Sequence, residues 1–336
     1  MGITIVGSLN YDLVTFTSRI PDSGETFRAS NFETHAGGKG LNQTVAISRL
    51  RKPNADYPVR MIGNVGDDSF GRELLDVLSQ NKVDTSHVGA LAGVNTGVAN
   101  IIVEQEKGGQ NRILIVEGAN GGTVYTSDEL KSLFDSMYSQ KEMVVLQHEI
   151  PDPVSIMKWV NENKPGYQIV YNPSPFQPLK RDSWALVDIL VVNEIEALQV
   201  AQCTYDGNHL RSIKDSVNKD FIEGYKQLCK LFQADLVNEN KSATVIITLG
   251  VKRRLFSSKA QPDVGYLPAV TGIKVVDTTG AGDTFLGAVV TQLYEGEQLA
   301  TGISFATTAS SLAIQKSGAA ESIPSHAEVN AATGDS

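Results

Sequence analysis

The sequence predicts an α/β fold: a doubly wound, mostly parallel sheet with helices on both faces and a small separate β-sheet. Three observations carry this. From Met143 onward, short apolar runs of strand length alternate with helical segments, the pattern of parallel strands buried on both faces. Two other stretches, about 13–35 and 95–117, read as β throughout and form a separate small sheet. Polar clusters gather just beyond the apolar runs, where ligands bind in open parallel sheets. A chain of 336 residues holds two domains at most or one large α/β domain. The expected organisation is one α/β domain over 1–328, with the strands of the small sheet inserted at about 13–35 and 95–117, and a frayed tail at 329–336.

Composition narrows the function. The chain is 41% hydrophobic and 20% charged, with a net charge of −9, an ordinary globular balance that argues against nucleic acid as partner. Lys252, Arg253 and Arg254 form the one triple basic run, too short to change this. Two cysteines, Cys203 and Cys229, give neither a disulfide framework nor a CxxC clip and fit a reducing compartment. The apolar start, Ile3 to Val6, has no basic leader, and no apolar run reaches membrane-spanning length. The expected location is cytoplasmic, with nuclear presence left open. The five histidines lack ligand spacing, and His148 beside Glu149 reads as structural.

In chain order, Ile3 to Val6 is a strand ending in Gly7-Ser8. Asn10 and Asp12 follow, and either form a turn or present two hydrogen-bonding side chains to a ligand. Two β runs then flank Pro21 to Gly24. Gly37, Gly38, Lys39 and Gly40 form a loop whose bare backbone contacts a polar ligand, with Lys39 and Asn42 pointing at it, before a helix with Val45, Ile47 and Leu50. Val59 to Ile62 reads as a strand and Ser69 to Leu78 as a helix. Thr96 to Val103 and Ile113 to Val116 pair as a hairpin through Lys107 to Gln110. Strands are expected at Met143–Leu146, Ile169–Tyr171, Ile189–Val192 and Thr244–Thr248. Helices are expected at Pro153–Val160, Glu194–Val200 and Phe221–Val237. The polar stretch 203–220 reads as an irregular surface insertion.

The most informative stretch is Val275 to Gly287, VVDTTGAGDTFLG. It reads as a strand ending at Val276, a glycine-rich turn, and a helix from Thr284 to Tyr294. Unpartnered N–H groups and the positive end of the dipole make such a helix start attract anions. An acid at Asp283 is, by itself, equally a helix cap. Beside an anion cradle it suits a base that deprotonates a hydroxyl next to a phosphoryl group. The dinucleotide fingerprint is missing its third glycine, and Gly38-Lys39 is followed by Gly40 where a P-loop needs Ser or Thr.

DTTGAGDTF resembles the second signature of the ribokinase family of carbohydrate kinases, and GGKGLNQ resembles the first. GDDSFG, Asn193-x-x-Glu196 and Thr248-Leu249-Gly250 add to a resemblance that spans about residues 2–324 and is nearest to fungal members. The resemblance implies transfer of the γ-phosphoryl of ATP to the 5-hydroxyl of D-ribose. Asp283 would be the base, with the backbone of Gly280, Ala281, Gly282 and Asp283 as the anion hole. It implies sugar contacts from Asn10, Asp12, Gly38, Lys39, Asn42, Glu149 and Asp283. ATP and Mg²⁺ would be held around Asn193, Glu196, Thr248, Gly250, Gly282, Asp283 and Thr307. A K⁺ site would involve Asp277, Thr279, Ala313, Lys316, Gly318 and Ser322. The small sheet would be a lid that covers the sugar and pairs with its twin in a homodimer. The chain departs from the family's TLGxxG loop by placing Arg253 at the second glycine. Either Arg253 tolerates a glycine conformation and contacts ATP, or the loop turns differently and leaves Arg253 in solvent beside Lys252 and Arg254.

Three other readings compete. A nucleoside or other sugar kinase on the same fold would carry apolar side chains near the sugar's C1, whereas Asn10, Asp12, Lys39 and Asn42 are polar. A non-catalytic sugar or nucleotide sensor has no need of Asp283 in an intact cradle. A dinucleotide-dependent oxidoreductase lacks its fingerprint.

Overall fold

The computed structural model describes residues 2–107, 110–137, 141–250 and 252–334. In chain order, β1 (Gly2–Val6) belongs to a large sheet, and β2 (Asn10–Thr17) and β3 (Asn31–Gly37) to a small one. Helix α1 (Lys39–Leu50), β4 (Val59–Gly66), α2 (Ser69–Gln80) and β5 (Asp84–Leu91) return to the large sheet before β6 (Gly97–Glu104) and β7 (Gln110–Val116) complete the small one. Then α3 (Ser127–Asp135), β8 (Glu142–Gln147), α4 (Pro153–Asn163), β9 (Gln168–Asn172), α5 (Arg181–Trp184), β10 (Ile189–Asn193) and α6 (Glu194–Thr204) alternate. Helices α7 (Gly207–Lys219) and α8 (Phe221–Asp235) precede β11 (Thr244–Leu249), β12 (Arg253–Ser258) and β13 (Gln261–Pro268). Helices α9 (Ala281–Tyr294), α10 (Leu299–Ala313) and α11 (His326–Thr333) follow.

The large sheet has nine strands in the order β13-β12-β11-β10-β9-β8-β1-β4-β5. From β11 to β5 neighbours run parallel, while β12 and β13 extend one edge antiparallel. Strands β1 and β8 are buried at every residue, so the sheet must be covered twice. One apolar core joins Ile3, Ile5 and Val145 to α1, α9 and α10; the other joins Val6, Val144 and Leu146 to α4 and α8. This is the predicted doubly wound architecture. The small sheet, β3-β2-β6-β7, is the predicted separate sheet. It is tied to the body by Tyr11, which stacks on Phe70 at 4.2 Å and donates its hydroxyl to Glu73 Oε2 at 2.5 Å.

Short polar side chains start the helices, each accepting from an N–H that has no helical partner. Asp68 caps α2, Asp152 caps α4 ahead of Pro153, and Asp206 and Asp220 cap α7 and α8. Far from the strand ends that carry the site, Asp188 joins two connections. It is fully buried and accepts from Ile169 N, Asn238 Nδ2 and Lys241 Nζ.

Several expectations need correction. The stretch 203–220 is not irregular. Asp206 caps α7, whose Leu210, Ile213 and Val217 form a narrow apolar stripe packed on the α8 side of the core. Val275 and Val276 do not form a strand; they lie in an extended loop, 50% and 54% exposed, held by Val276 N to Ile314 O. The helix that follows starts at Ala281, earlier than Thr284. The tail is folded as far as Thr333, because Ser325 and Glu328 form a reciprocal cap on α11. Strands β5, β12 and β13 were not anticipated. The turn residues Gly108 and Gly109 of the expected hairpin lie outside the described residues, whereas its strands pair as β6 and β7. Among the described residues, no helix is long and apolar enough to cross a membrane.

Candidate active site

The site forms where the carboxyl ends of β1, β8, β10 and β11 meet the N-termini of α1 and α9. Gly38, at φ 87°, lets the start of α1 lie directly on the segment leaving β1. A Cβ there would stand 2.7 Å from Asn10 N, so only glycine fits this approach. The first N–H groups of α1 then find partners outside the helix: Leu41 N donates to Ser8 O, and Lys39 N to Glu149 Oε2 at 2.9 Å. Ser8 Oγ donates to the same Glu149 oxygen at 2.5 Å. Asn10 is held by Asn120, whose Nδ2 donates to Asn10 Oδ1 at 2.8 Å and to Leu9 O. Thus Asn10, Gly38, Lys39 and Glu149 are brought together, with Asp12 on the same strand as Asn10.

Opposite them, Gly280 takes φ 71° and α9 begins at Ala281, which buries Asp283 in the first turn. Asp283 Oδ1 accepts from Gln43 Nε2 at 2.9 Å, and Oδ2 from Asn42 Nδ2 at 3.2 Å. A Cβ built on Gly282 would meet no heavy atom within 4 Å. The opening turn of α9 therefore faces free space, as an anion cradle requires. A cleft of about 220 Å³ runs past it, lined by Lys39, Asn193, Glu196, Thr248, Gly282 and Asp283 among others. Asn193 and Glu196 form a reciprocal cap on α6: Asn193 Oδ1 accepts from Ile195 N and Glu196 N, and Glu196 Oε2 from Asn193 N. The helix-start and site readings of this pair are thus compatible, since Asn193 Nδ2 and Glu196 Oε1 are not used by the cap.

Charge in the site is uneven. Burial raises the Asp12 carboxyl to about 7, and Glu149, Glu321 and Asp283 add to the effect. Burial acts to lower the pKa of Lys39, but Asp283, Glu149 and Glu196 outweigh it and hold the ammonium above its ordinary value. Lys39 stays charged because carboxylates surround it.

Behind the cradle, Asp277 joins two loops. Its Oδ1 accepts from Thr279 N and Oγ1 at 2.9 and 2.7 Å, and its Oδ2 from Gly318 N at 3.1 Å. Ala313 lies at the end of α10, and its carbonyl accepts from Lys316 N. Ser322 is buried and donates to Ala319 O. Lys316 Nζ turns away to Glu328. Gly250 lies beyond Thr248 at φ 52°. Thr307 is buried within α10, with its hydroxyl on Ile303 O, and does not line the cleft. Arg253 overturns the strained-glycine reading. It opens β12 opposite Leu249, is not among the described non-glycine residues with positive φ, and packs 4.9 Å over the Tyr266 ring.

Ser8, Gln43, Asn120 and Asn172 enter the site without having been singled out from the sequence. Gln43 was within reach, since it directly follows Asn42 in GGKGLNQ. Asn120 gave no signal, because its partners lie 110 residues away in the chain.

An open parallel sheet with a polar pocket and a helix N-terminus at its switch region is the architecture of an α/β enzyme that binds small ligands. The chain belongs to the pfkB family of carbohydrate kinases, whose family model matches residues 2–326. It is similar to the ribokinase of Schizosaccharomyces pombe, at 35% identity over 333 residues covering 98% of this chain and 97% of that protein. Its structure is similar to that of ribokinase from Cryptococcus neoformans var. grubii serotype A in complex with ADP. There the TM-score is 0.77 at 26% identity, over 99% of this chain and 100% of that one. Arabidopsis thaliana ribokinase complexed with ribose and ATP gives a TM-score of 0.77 at 28% identity, over 98% and 97% of the two chains.

The raised Asp12 carboxyl has a measurable consequence. Its ordinary value is 3.8 and its native value about 7, so the folded chain holds a proton that the unfolded chain releases between those limits. This contribution to stability is present below about pH 4 and is lost as pH rises through about 7. Asp12→Asn should therefore melt above the parent in the unliganded state at pH 8, with the gap closing toward pH 4.5. Parallel melting curves across that range would exclude the strained carboxylate.

Proposed function

We propose that this chain is an ATP-dependent ribokinase that forms D-ribose 5-phosphate and ADP. The observation that supports this best is the position of Asp283, buried in the first turn of α9 beside an open backbone cradle, in a chain of the pfkB family. Asp283 takes the proton of the sugar 5-hydroxyl, whose oxygen attacks the γ-phosphorus. The bond to the β,γ-bridging oxygen breaks and ADP departs with the electron pair. The N–H groups of Gly280 to Asp283 stabilise the phosphoryl as it transfers. Asn10, Asp12, Gly38, Asn42 and Glu149 read the remaining hydroxyls, and Lys39 balances the carboxylates around them. This polar set favours a free sugar over a nucleoside.

ATP lies along the cleft past Asn193, Glu196, Thr248 and Gly250. Among the described residues no cluster of three or more His, Cys, Asp or Glu could hold a metal ion. Asn193 and Glu196 at the cleft, one amide and one carboxylate, fit a Mg²⁺ that would be held mainly through phosphates and water, with these two side chains ordering its shell, and that would there neutralise triphosphate charge. A K⁺ site fits the loops joined by Asp277, with oxygens from Thr279, Ala313, Lys316, Gly318 and Ser322. Dimerisation through the lid is supported by β7, where Ile113, Leu114, Ile115 and Val116 are all exposed, Leu114 at 65%. Such a row on an edge strand needs cover. The two free cysteines fit the reducing environment of a cytoplasmic enzyme.

Asp283→Asn should keep the fold and ribose binding but lose about 10²–10⁴-fold in kcat. Turnover within about threefold of the parent would show that Asp283 is not the base. At fixed ionic strength, K⁺ should activate well beyond Na⁺, because a cation behind the cradle sets its geometry; equal rates in the two salts would dismiss the site. Sedimentation should give a dimer for the parent and a monomer for Leu114→Lys, and a parent monomer at micromolar concentration would refute the lid interface.

A further inference from the structure

One buried side chain beside Asp283 has no part in the reaction as described. Gln43 is fully buried on α1. Its Nε2 donates to Asp283 Oδ1 at 2.9 Å and to Asn172 Oδ1 at 3.3 Å. Its Oε1 accepts from Gln147 Nε2 at 2.7 Å. Gln147 is itself fully buried at the end of β8. Asn172, at the end of β9, is anchored by Nδ2 donating to Val191 O at 3.0 Å.

These contacts leave the Gln43 amide one orientation. Asn172 Nδ2 is held by Val191 O, so Asn172 presents its oxygen. Gln43 must therefore aim its amide nitrogen at Asn172 and Asp283 and its oxygen at Gln147 Nε2, Gln147 Oε1 having no hydrogen-bond partner of its own. The Gln43 amide nitrogen then has two acceptors ahead of it, Asp283 Oδ1 and Asn172 Oδ1. Reversing the amide would set two N–H groups against each other on one side. On the other it would set a carbonyl oxygen against a carboxylate. Inside a protein such mismatches are costly, because no water is available to relieve them.

We propose that Gln43, oriented by Gln147 and Asn172, is a positioning residue that fixes the carboxylate plane of Asp283. The ends of β8 and β9, the latter held on β10, thereby transmit their placement to one oxygen of the base. Asn42 holds the other oxygen across a longer 3.2 Å contact. The proton transfer is unchanged: the sugar hydroxyl gives its proton to Asp283, the sugar oxygen bonds to phosphorus, and ADP leaves with the electron pair. Gln43 neither gives nor takes a proton. It sets the direction in which Asp283 presents its lone pair, and misalignment of a reacting group slows chemistry while leaving binding in place.

The inference rests on Asp283 being the base, and the experiment separates the two claims. Steady-state kinetics with saturating ribose and ATP would be measured for Gln43→Leu, Gln43→Glu, Gln147→Leu, the Gln43→Leu/Gln147→Leu double variant and Asp283→Asn. Loss of one hydrogen bond to a charged group predicts a kcat about 10- to 100-fold lower in Gln43→Leu, with both KM values within about twofold. Gln43→Glu keeps the shape but sets a second buried carboxyl against Asp283 in place of the amide donor, so kcat should fall at least comparably. Gln147→Leu should show a smaller kcat loss in the same direction. The double variant should be no slower than Gln43→Leu alone, since Gln147 acts only through Gln43. Turnover by both Gln43 variants within about twofold of the parent, or losses that multiply in the double variant, would overturn the proposal. If the Gln43 variants fail to fold, an unchanged kcat in Gln147→Leu overturns it. An active Asp283→Asn refutes the base itself, whereas an inactive one beside fully active Gln43 variants refutes only the positioning role.

Discussion

The meeting of α1 with α9 is the constraint on which the rest of the site depends. Asn42 and Gln43 on one helix grip Asp283 on the other, and this requires the two axes to approach closely. One turn beyond Asp283 along α9, a Cβ on Gly287 would stand 2.4 Å from Ala46 Cβ, so the contact is packed to its limit. Interiors packed at this density move as rigid units rather than deforming smoothly. The distance between the proposed base and the sugar pocket is therefore fixed by core packing, not by the loops that carry the ligand contacts.

Against this rigid frame stands an unfavourable charge distribution. Asp12, Glu149, Glu321 and Asp283 share one neighbourhood, and Lys39 is the cation set among three of the local carboxylates. Such a concentration of acid opposes folding and is found where function demands it. Hydroxyl-rich sugars are bound by acceptors of this kind. Lys39 also sits at the start of α1, so its placement and that of the Glu149 partner come from one helix start.

The architecture was largely legible because strand ends and helix starts are local features. Short apolar runs marked β1, β8, β10 and β11, and glycine-rich turns marked the starts of α1 and α9. What escaped was set by distant partners. Helix α7 looked irregular because its outer face is polar and only Leu210, Ile213 and Val217 reach the core. Val275 and Val276 looked like a strand because they are β-branched and apolar, yet they lie in a loop pinned to Ile314. Arg253 left two readings open in its motif, a strained substitute for glycine or a loop that turns differently, and the β12–β13 hairpin gives it ordinary strand geometry. In the site, Asp283, Lys39 and Asn42 were visible in their motifs. Asn120 was not, since nothing near it in sequence shows that it holds Asn10.

Strand β2 carries one more consequence. It begins at Asn10 and Asp12 and continues, without interruption, as the middle of the small sheet. The small sheet and two of the proposed sugar contacts are thus one piece of backbone. Swinging that sheet outward would act as a lever on its own root and pull Asn10 and Asp12 out of register with Lys39 and Asp283. On the proposed function, opening would therefore loosen the grip on the sugar, and occupancy of the pocket and closure over it would form a single equilibrium.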